Sequence, residues 1–186
     1  PEGYTAYGLN WANASNTPFR EYKHWVNEGG ISTPLIAHWP NGIKDIGTFR
    51  KTPSHLIDIM ATCVDVAKAS YPKTFENNSI IPMEGKSLVS TFTEDKLERE
   101  ALYWEHEGNR AVRMDKWKLV SKPNKQNPRF WDKTKELQLE NWELYDMQLD
   151  RTEMNNLATK HPDITSKMAD MWMRWAKRVG AVPRPL

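Results

Sequence analysis

Cysteine, glycine and long hydrophobic runs are all scarce in this sequence of 186 residues. The single cysteine, Cys63, excludes an internal disulfide and a zinc site built from several cysteines. Cys63 lies in the apolar pattern of a predicted helix, so we expect a small buried side chain. No apolar run is long enough to span a membrane, and no signal peptide is present. The start at Pro1 indicates a truncated or processed chain, so the missing signal says little about the compartment.

A long block of charge of one sign is also missing. The 26 basic and 24 acidic residues are interspersed and give a net charge of +2. This balance lacks the electrostatic footprint of a nucleic-acid binder, so we expect no nucleic-acid partner. Aromatic residues, in contrast, are abundant, with nine Trp, six Tyr and five Phe. Such richness is typical of proteins that bind sugars and equally of a thickly packed core, and the sequence leaves both open.

Residues 16–40 carry the densest set of signals. A basic cluster, formed by Arg20, Lys23 and His24, precedes the tripeptide Glu28-Gly29-Gly30. Paired glycines allow a positive φ or a close approach of the backbone to another segment. The apolar run at 33–39 predicts a short buried strand of a mixed or parallel sheet. Loops that enter a central strand often hold the anion-binding groups of α/β enzymes, although a lone lysine is more often a solvated charge.

Residues 52–69 form a strong helical pattern. Thr52 and Pro53 stand where a helix cap and first turn are expected, and a broad apolar face follows them. Asp58 and Asp65 are seven residues apart on this predicted helix, and we interpret them as solvated charges rather than an acid–base pair. The first sixteen residues show little periodicity and predict an irregular loop. In that loop Trp11 either lines a cleft or pins the loop to the core.

The second half of the chain predicts a small antiparallel sheet of the meander type. Four short β patterns occur at 101–105, 109–113, 116–121 and 142–145. A final helical pattern begins near Pro162 and ends near Gly180. Its methionines and tryptophans recur at helical spacing, so we expect that face to pack on the sheet rather than to bind a ligand.

The turn at 104–110 gathers an imidazole, carboxylates and a guanidinium around Gly108. A histidine beside carboxylates can bind a metal or transfer protons. Neighbouring side chains on an extended backbone point in alternating directions, however, so they rarely converge on one ion. We therefore interpret the turn as a substrate-facing loop in which His106 contacts the substrate, and we assign no metal ligand. The acidic segment at 143–157 lacks the loop pattern of an EF-hand.

Residues 20–40 contain, in order, Arg20-x-x-Lys23, four further residues, Glu28-Gly29-Gly30, an apolar run and Trp39-Pro40. This segment resembles the lysine segment of the type I sulfatases, the formylglycine-dependent arylsulfatase family. Further motifs follow in the order of that family. They are SHLIDIMATCVDVA, the Gly-x-Ser-Leu turn at 85–88, WEHEGNRAVR with WKLV, ELYD and the terminal helix. Each motif is weak alone, but the ordered set covers nearly the whole chain. The sequence resembles the C-terminal portion of such a sulfatase.

This resemblance implies an α/β fold of the alkaline-phosphatase-like type, represented by its C-terminal part. Residues 1–88 would be the last segment of the catalytic core, including the end of its large mixed sheet. Residues 89–186 would be a C-terminal subdomain with a four-stranded antiparallel sheet and a terminal helix. The implied activity is hydrolysis of sulfate esters, either aryl sulfates or sulfated glycans. The implied compartment is periplasmic or secreted, or lysosomal in a eukaryote.

In the family the lysine that matches Lys23 contacts the sulfate group and the oxygen being released. The resemblance thus implies a catalytic Lys23, the one residue of the family's catalytic set that this sequence contains. We expect Arg20, Trp11 and His106 on the substrate side. Arg20 and Glu28 would also brace the loop, for instance as an ion pair.

The family's calcium ion and formylglycine are implied as cofactors of the longer enzyme. Their motifs, including Cys/Ser-x-Pro-x-Arg, are absent from this sequence. They would come from the N-terminal half of the core, the implied partner. This chain alone is therefore expected to be inactive. The alternative function is a non-catalytic module that binds sulfated or otherwise anionic glycans.

Overall fold

The computed structural model describes residues 6–122 and 142–182 and divides them into two compact units. The first unit contains the described residues up to Pro34 and from Glu100 onward, and the second unit is Leu35–Arg99. The predicted division of the chain at residue 88 refers to the longer protein and stays a prediction.

The elements alternate between short helices and short strands before the chain ends in one long helix. The helices are α1 (Leu9–Ser15), α2 (Glu28–Ile31), α3 (Ile57–Val66) and α4 (Pro162–Arg178), with a 3-10 turn at Val89–Phe92. The strands are β1 (Thr74–Phe75), β2 (Asn78–Ser79), β3 (Leu102–His106), β4 (Asn109–Met114), β5 (Trp117–Ser121) and β6 (Trp142–Asp146).

The first unit is built on the predicted antiparallel meander, with strand order β3-β4-β5-β6. Tight turns join the first three strands, and they place Glu107, Gly108 and Asp115 at positive φ. Glycine adopts that conformation at no steric penalty, which is the reason for Gly108 between β3 and β4. The part of the loop between β5 and β6 at 123–141, including the predicted Lys-rich excursion, lies outside the described residues.

Helix α4 covers one face of this sheet, as the spacing of its apolar residues predicts. Met168 and Trp172 are 0% and 1% exposed, and they belong to one core cluster with residues from the sheet, namely Val112, Leu119, Leu144 and Trp142. The Trp172 indole N–H also donates a hydrogen bond of 2.9 Å to the carbonyl of Trp104 on β3. Burying large apolar side chains contributes about 1.5–3 kcal/mol each, so this face holds the unit together.

The strand predicted at 33–39 is not formed. Residues 32–39 have no regular secondary structure, and Leu35 and Ile36 are 57% and 90% exposed. A lone strand leaves its backbone N–H and C=O groups unpaired, so it needs neighbouring strands. The part of the chain that the structure describes provides no strand beside this segment.

In the second unit, helix α3 begins at Ile57 rather than at Thr52 as predicted. The backbone N–H groups of Lys51 and Thr52 instead donate to the carboxylate of Asp95 at 2.8–3.0 Å. This carboxylate fixes an extended entry to the helix. Cys63, expected to be buried, is exposed because it lies on a side of α3 that no described residue covers.

Asp58 corrects a second expectation about α3, because it is fully buried rather than solvated. Its carboxylate accepts the backbone N–H groups of His55 and Lys86, both at 2.8 Å, and pairs with the Arg99 guanidinium at 2.7 Å. The side chain of Asp65 is 41% exposed, which agrees better with the predicted solvated charge. A buried carboxylate with charged and neutral donors is a structural clamp.

No helix within the described residues has both the length and the apolar character needed to cross a membrane.

Candidate active site

The basic segment at 20–27, which we call the lysine loop, is anchored directly behind Lys23. Lys23 itself is exposed, whereas the four residues at 25–28 are between 0% and 8% exposed. Val26 belongs to a core cluster with Ala111, Val120 and Tyr145 of the sheet and with Met147, which follows β6. The loop therefore presents Lys23 at the surface from a rigid attachment.

Gly29 and Gly30 allow helix α2 to lie against the lysine loop. A Cβ atom added to Gly29 would overlap the carbonyl of Glu21, and one added to Gly30 would overlap that of Trp25. The Gly29 N–H donates to the carbonyl of Arg20 at 3.0 Å. The predicted close approach is confirmed.

The prediction of a positive φ is wrong for Gly29 and Gly30, although other residues of the lysine loop adopt one. Neither glycine has a positive φ. The left-handed conformation is adopted instead by Glu21 (φ 68°) and His24 (φ 90°), on either side of Lys23. Such backbone strain costs about 1–3 kcal/mol per residue and concentrates at functional sites.

A buried ion cluster fixes the end of the lysine loop to strand β5. The Lys118 ammonium, 1% exposed, lies 2.8 Å from Glu28 and 2.9 Å from Glu153. The second carboxylate oxygen of Glu153 accepts the backbone N–H of Glu28 at 2.8 Å. Burial alone would raise the pKa of Glu28, but the charges and hydrogen bonds of Lys118 and Arg151 outweigh it and hold that pKa below its usual value.

The ion pair predicted between Arg20 and Glu28 is not formed. Glu28 is paired with Lys118 and Arg151. Arg20 instead donates to the carbonyl of Glu153 at 2.6 Å and to the hydroxyl of Tyr145 at 3.3 Å. Arg20 thus braces the loop through a different partner, and its substrate contact stays a prediction.

We expect the Glu28 carboxylate to make stability depend on pH in acid. Its pKa is lower in the folded than in the unfolded state, so its contribution is present above the unfolded pKa, about 4.5. The contribution is lost as the pH falls through the folded pKa. Urea unfolding of the full-length protein between pH 7 and pH 3, compared with Glu28→Gln, checks this. A Glu28→Gln protein with an unchanged acid slope would contradict the expectation.

Lys23 differs from the other cations around the loop. Arg20, Lys118, Lys122 and Arg151 each contact an acidic side chain or a carbonyl. The Lys23 ammonium has no ion-pair or hydrogen-bond partner within residues 6–122 and 142–182. An exposed, uncommitted ammonium on an anchored loop can accept an anionic ligand without first breaking an internal contact.

Beside Lys23, the structure brings His24 together with His106 and Glu107, two residues of the turn that the sequence analysis singled out. The His24 Nδ1 atom lies 2.6 Å from a carboxylate oxygen of Glu107, and the rings of His24 and His106 stack with centroids 6.0 Å apart. The Asn109 side-chain amide donates to the carbonyls of His24 and His106, at 2.7 and 3.1 Å. The sequence placed His24 in the basic cluster with Lys23 but did not predict its contact with Glu107, because the two residues are 83 positions apart.

The two remaining residues predicted on the substrate side, Trp11 and His106, are both exposed in the structure. Trp11 lies on the short helix α1 and not in an irregular loop, and it is 69% exposed. That exposure rules out the pinning of a loop to the core. His106 is exposed at the end of β3, close to His24. Substrate contacts by either residue stay predictions.

Comparisons with known proteins agree with the resemblance in the sequence. The profile of a family described as N-sulphoglucosamine sulphohydrolase, C-terminal, matches residues 21–178. An uncharacterised sulfatase of Schizosaccharomyces pombe is 31% identical over 96% of this chain and 31% of its own length. An N-acetylgalactosamine-6-O-sulfatase of Bacteroides thetaiotaomicron is 24% identical over 91% of this chain and 32% of its own.

The fold is similar to that of solved sulfatase structures. The crystal structure of Ps i-CgsB in complex with k-i-k-neocarrahexaose matches 79% of this chain and 33% of its own, with a TM-score of 0.55 and 17% identity. The fold is thus the C-terminal part of the alkaline-phosphatase-like sulfatase fold. The chain spans about a third of the length of the curated relatives it matches. The chain belongs to the sulfatase family and corresponds to its C-terminal portion.

Proposed function

We propose that the whole protein hydrolyses sulfate esters and that this chain supplies the sulfate-contacting lysine, Lys23. The observation that carries the proposal is the exposed ammonium of Lys23, which has no partner among the described residues, whereas Arg20 on the same loop and Lys118, Lys122 and Arg151 around it are paired. When the S–O bond of a sulfate ester breaks, negative charge builds on the bridging oxygen. A fixed ammonium at that oxygen stabilises the transition state more than the ground state.

The buried cluster of Glu28, Lys118 and Glu153 has a positioning role in this proposal. An electrostatic catalyst must already be in place when the charge develops, so that no reorganisation is needed during the reaction. The loop's attachment to β5 through Lys118 provides that rigidity. Lys23 is the group that touches the sulfate, and the cluster acts through it.

The calcium ion and formylglycine of the family do not fit this chain. Calcium prefers several oxygen ligands, whereas the triple of potential metal ligands found among the described residues contains two imidazoles. No Cys/Ser-x-Pro-x-Arg sequence is present to carry formylglycine. We propose that both belong to the N-terminal part of the enzyme.

The second unit has the surface expected of a part that binds that N-terminal segment. Leu56, Met60 and Ile36 are 77%, 57% and 90% exposed, and further apolar side chains of this unit are exposed as well: Ile46, Phe49, Phe75 and Ile81. Extensive exposed apolar surface marks an interface with another polypeptide segment. We propose the N-terminal half of the sulfatase core as that segment.

For the substrate we propose a sulfated glycan or an aryl sulfate. Relatives include an N-acetylgalactosamine-6-O-sulfatase and an ulvan-active sulfatase of Formosa agariphila, 26% identical over 86% of this chain, together with an arylsulfatase of Klebsiella aerogenes. The exposed Trp11 offers a flat surface on which a sugar ring can stack. A periplasmic, secreted or lysosomal location is proposed with it, since such polymers lie outside the cytoplasm.

The test compares the full-length protein, produced with its formylglycine, with residues 1–186 alone. We expect the full-length protein to release sulfate from at least one member of a panel of aryl sulfates and sulfated glycans. Residues 1–186 should release none, because the nucleophile is missing. Sulfate release by residues 1–186 would contradict the assignment of roles. A full-length protein that binds sulfated glycans without hydrolysing any would favour the glycan-binding module instead.

A further inference from the structure

His24, His106 and Glu107 form a compact cluster of potential metal ligands. One ligand atom from each residue lies within 4.8 Å of the other two. Four-coordinate zinc with bonds of 2.0–2.2 Å places its ligand atoms about 3.3 Å apart. Opening the 2.6 Å contact between His24 and Glu107, and closing the other two distances by no more than about 1.5 Å, would reach that geometry.

The donor atoms indicate which ions this cluster can hold. Two imidazole nitrogens with one carboxylate oxygen are the three-ligand set that zinc sites use when a fourth position stays open. Imidazole suits zinc, copper, nickel and iron, whereas calcium and magnesium prefer oxygen. We infer that His24, His106 and Glu107 bind one divalent transition-metal ion, of which zinc is the simplest case.

The surrounding structure fixes the backbone that carries the ligands before an ion arrives. Asn109, which is fully buried, ties the backbones of His24 and His106 together through its side-chain amide. His24 and Glu107 both adopt a positive φ, at 90° and 52°. Outer contacts that orient ligands are a regular part of metal sites, and strained residues persist where the fold fixes them.

The cluster is also accessible to an ion from solvent. His106 is exposed, and the side chains of His24 and Glu107 are 18% and 31% exposed. An ion bound here would keep a coordination position for water or a ligand. With the ion bound, His106 acts as a metal ligand and does not contact the substrate directly.

The test uses the full-length protein, stripped with a chelator and then saturated with calcium so that oxygen sites are filled. Titration calorimetry with ZnCl2 should show one zinc per chain. Cobalt(II) should give the intense visible absorption of a four- or five-coordinate ion with nitrogen ligands. Replacing His106 with Gln should weaken zinc binding by at least about 100-fold, because losing a ligand exceeds the 10- to 100-fold effect of losing an outer contact.

Control variants separate ligation from loss of folding. His106→Gln changes an exposed side chain, so its fold should persist, and circular dichroism checks this. His38→Gln, at another exposed histidine, should leave zinc binding unchanged. Glu107→Gln and His24→Gln should weaken it as His106→Gln does. If the wild-type protein takes up no more zinc than a His38→Gln/His106→Gln double variant, the proposal is overturned, whatever the activity of the enzyme.

Discussion

Replacing Lys23 with alanine should lower the turnover number of the full-length protein toward sulfate esters by about 100- to 1000-fold, the usual effect of removing one fixed electrostatic donor at an oxyanion. The reason is that Lys23 has no internal partner within the described residues, so its charge is fully available to the sulfate. Stability should change little, because the side chain is exposed. Steady-state kinetics with a soluble aryl sulfate, together with a thermal melt, measure both effects.

The matched control is Lys160→Ala, which removes the same charge from another exposed lysine. Because Lys160 has no place in the proposed site, its turnover number should remain within about two-fold of the wild type. If Lys160→Ala loses as much activity as Lys23→Ala, the effect is one of net charge. If Lys23→Ala keeps full activity, Lys23 does not contact the reacting sulfate.

Replacing Lys118 with methionine should destabilise the first unit by about 3–5 kcal/mol at neutral pH. The substitution leaves Glu28 and Glu153 buried with like charges and without the ammonium between them. Arg151 compensates little, since it is 3.4 Å from Glu28 and 55% exposed. Hydrogen exchange of the β5 backbone amides in the full-length protein measures the change as a lower free energy of local opening.

The matched control is Lys116→Met, two residues earlier. Lys116 pairs with Asp146 at 2.8 Å but is 37% exposed, so its loss should cost about 1 kcal/mol or less. Equal effects of the two substitutions would contradict a special role of the buried cluster. Because that cluster holds the lysine loop, Lys118→Met should also lower the turnover number at temperatures at which the variant is still folded.

The sequence allowed the sheet and the last helix to be predicted because their signals are local. Alternating apolar residues and tight turns define the four strands, and the turn at Gly108 requires a residue that tolerates positive φ. The apolar stripe of α4 faces the sheet because that face has nowhere else to be buried. The importance of Gly29 and Gly30 was also recognised, although they serve a close approach and not a positive φ.

The sequence predictions are wrong where the burial or pairing of a residue depends on segments that are distant along the chain. The apolar run at 33–39 resembles a strand, but a strand needs neighbours that the described residues do not provide. Asp58 resembles a solvated helix charge, yet Arg99 and two backbone N–H groups compensate its burial. The partner of Glu28 is 90 residues away in Lys118, a pairing that no local spacing reveals.

Distance along the chain also explains why the sequence predicted only part of the site. Alternating side-chain directions argue against three ligands from the turn at 104–110 alone, and the cluster in the structure takes two of its ligands, His106 and Glu107, from that turn. Glu105 does not belong to the cluster, and its carboxylate accepts the Gly108 N–H at 2.8 Å. What completes the cluster is His24 from the lysine loop, which the fold brings to Glu107.

The most direct test of the role of Lys23 is the dependence of turnover on the leaving group. Turnover numbers of the wild type and Lys23→Ala are measured with a series of aryl sulfates whose phenols differ in acidity. An ammonium that stabilises the released oxygen matters most when that oxygen is a poor leaving group, so the loss caused by Lys23→Ala should grow steadily with the pKa of the phenol. A loss of the same size for every phenol would contradict contact between Lys23 and the released oxygen.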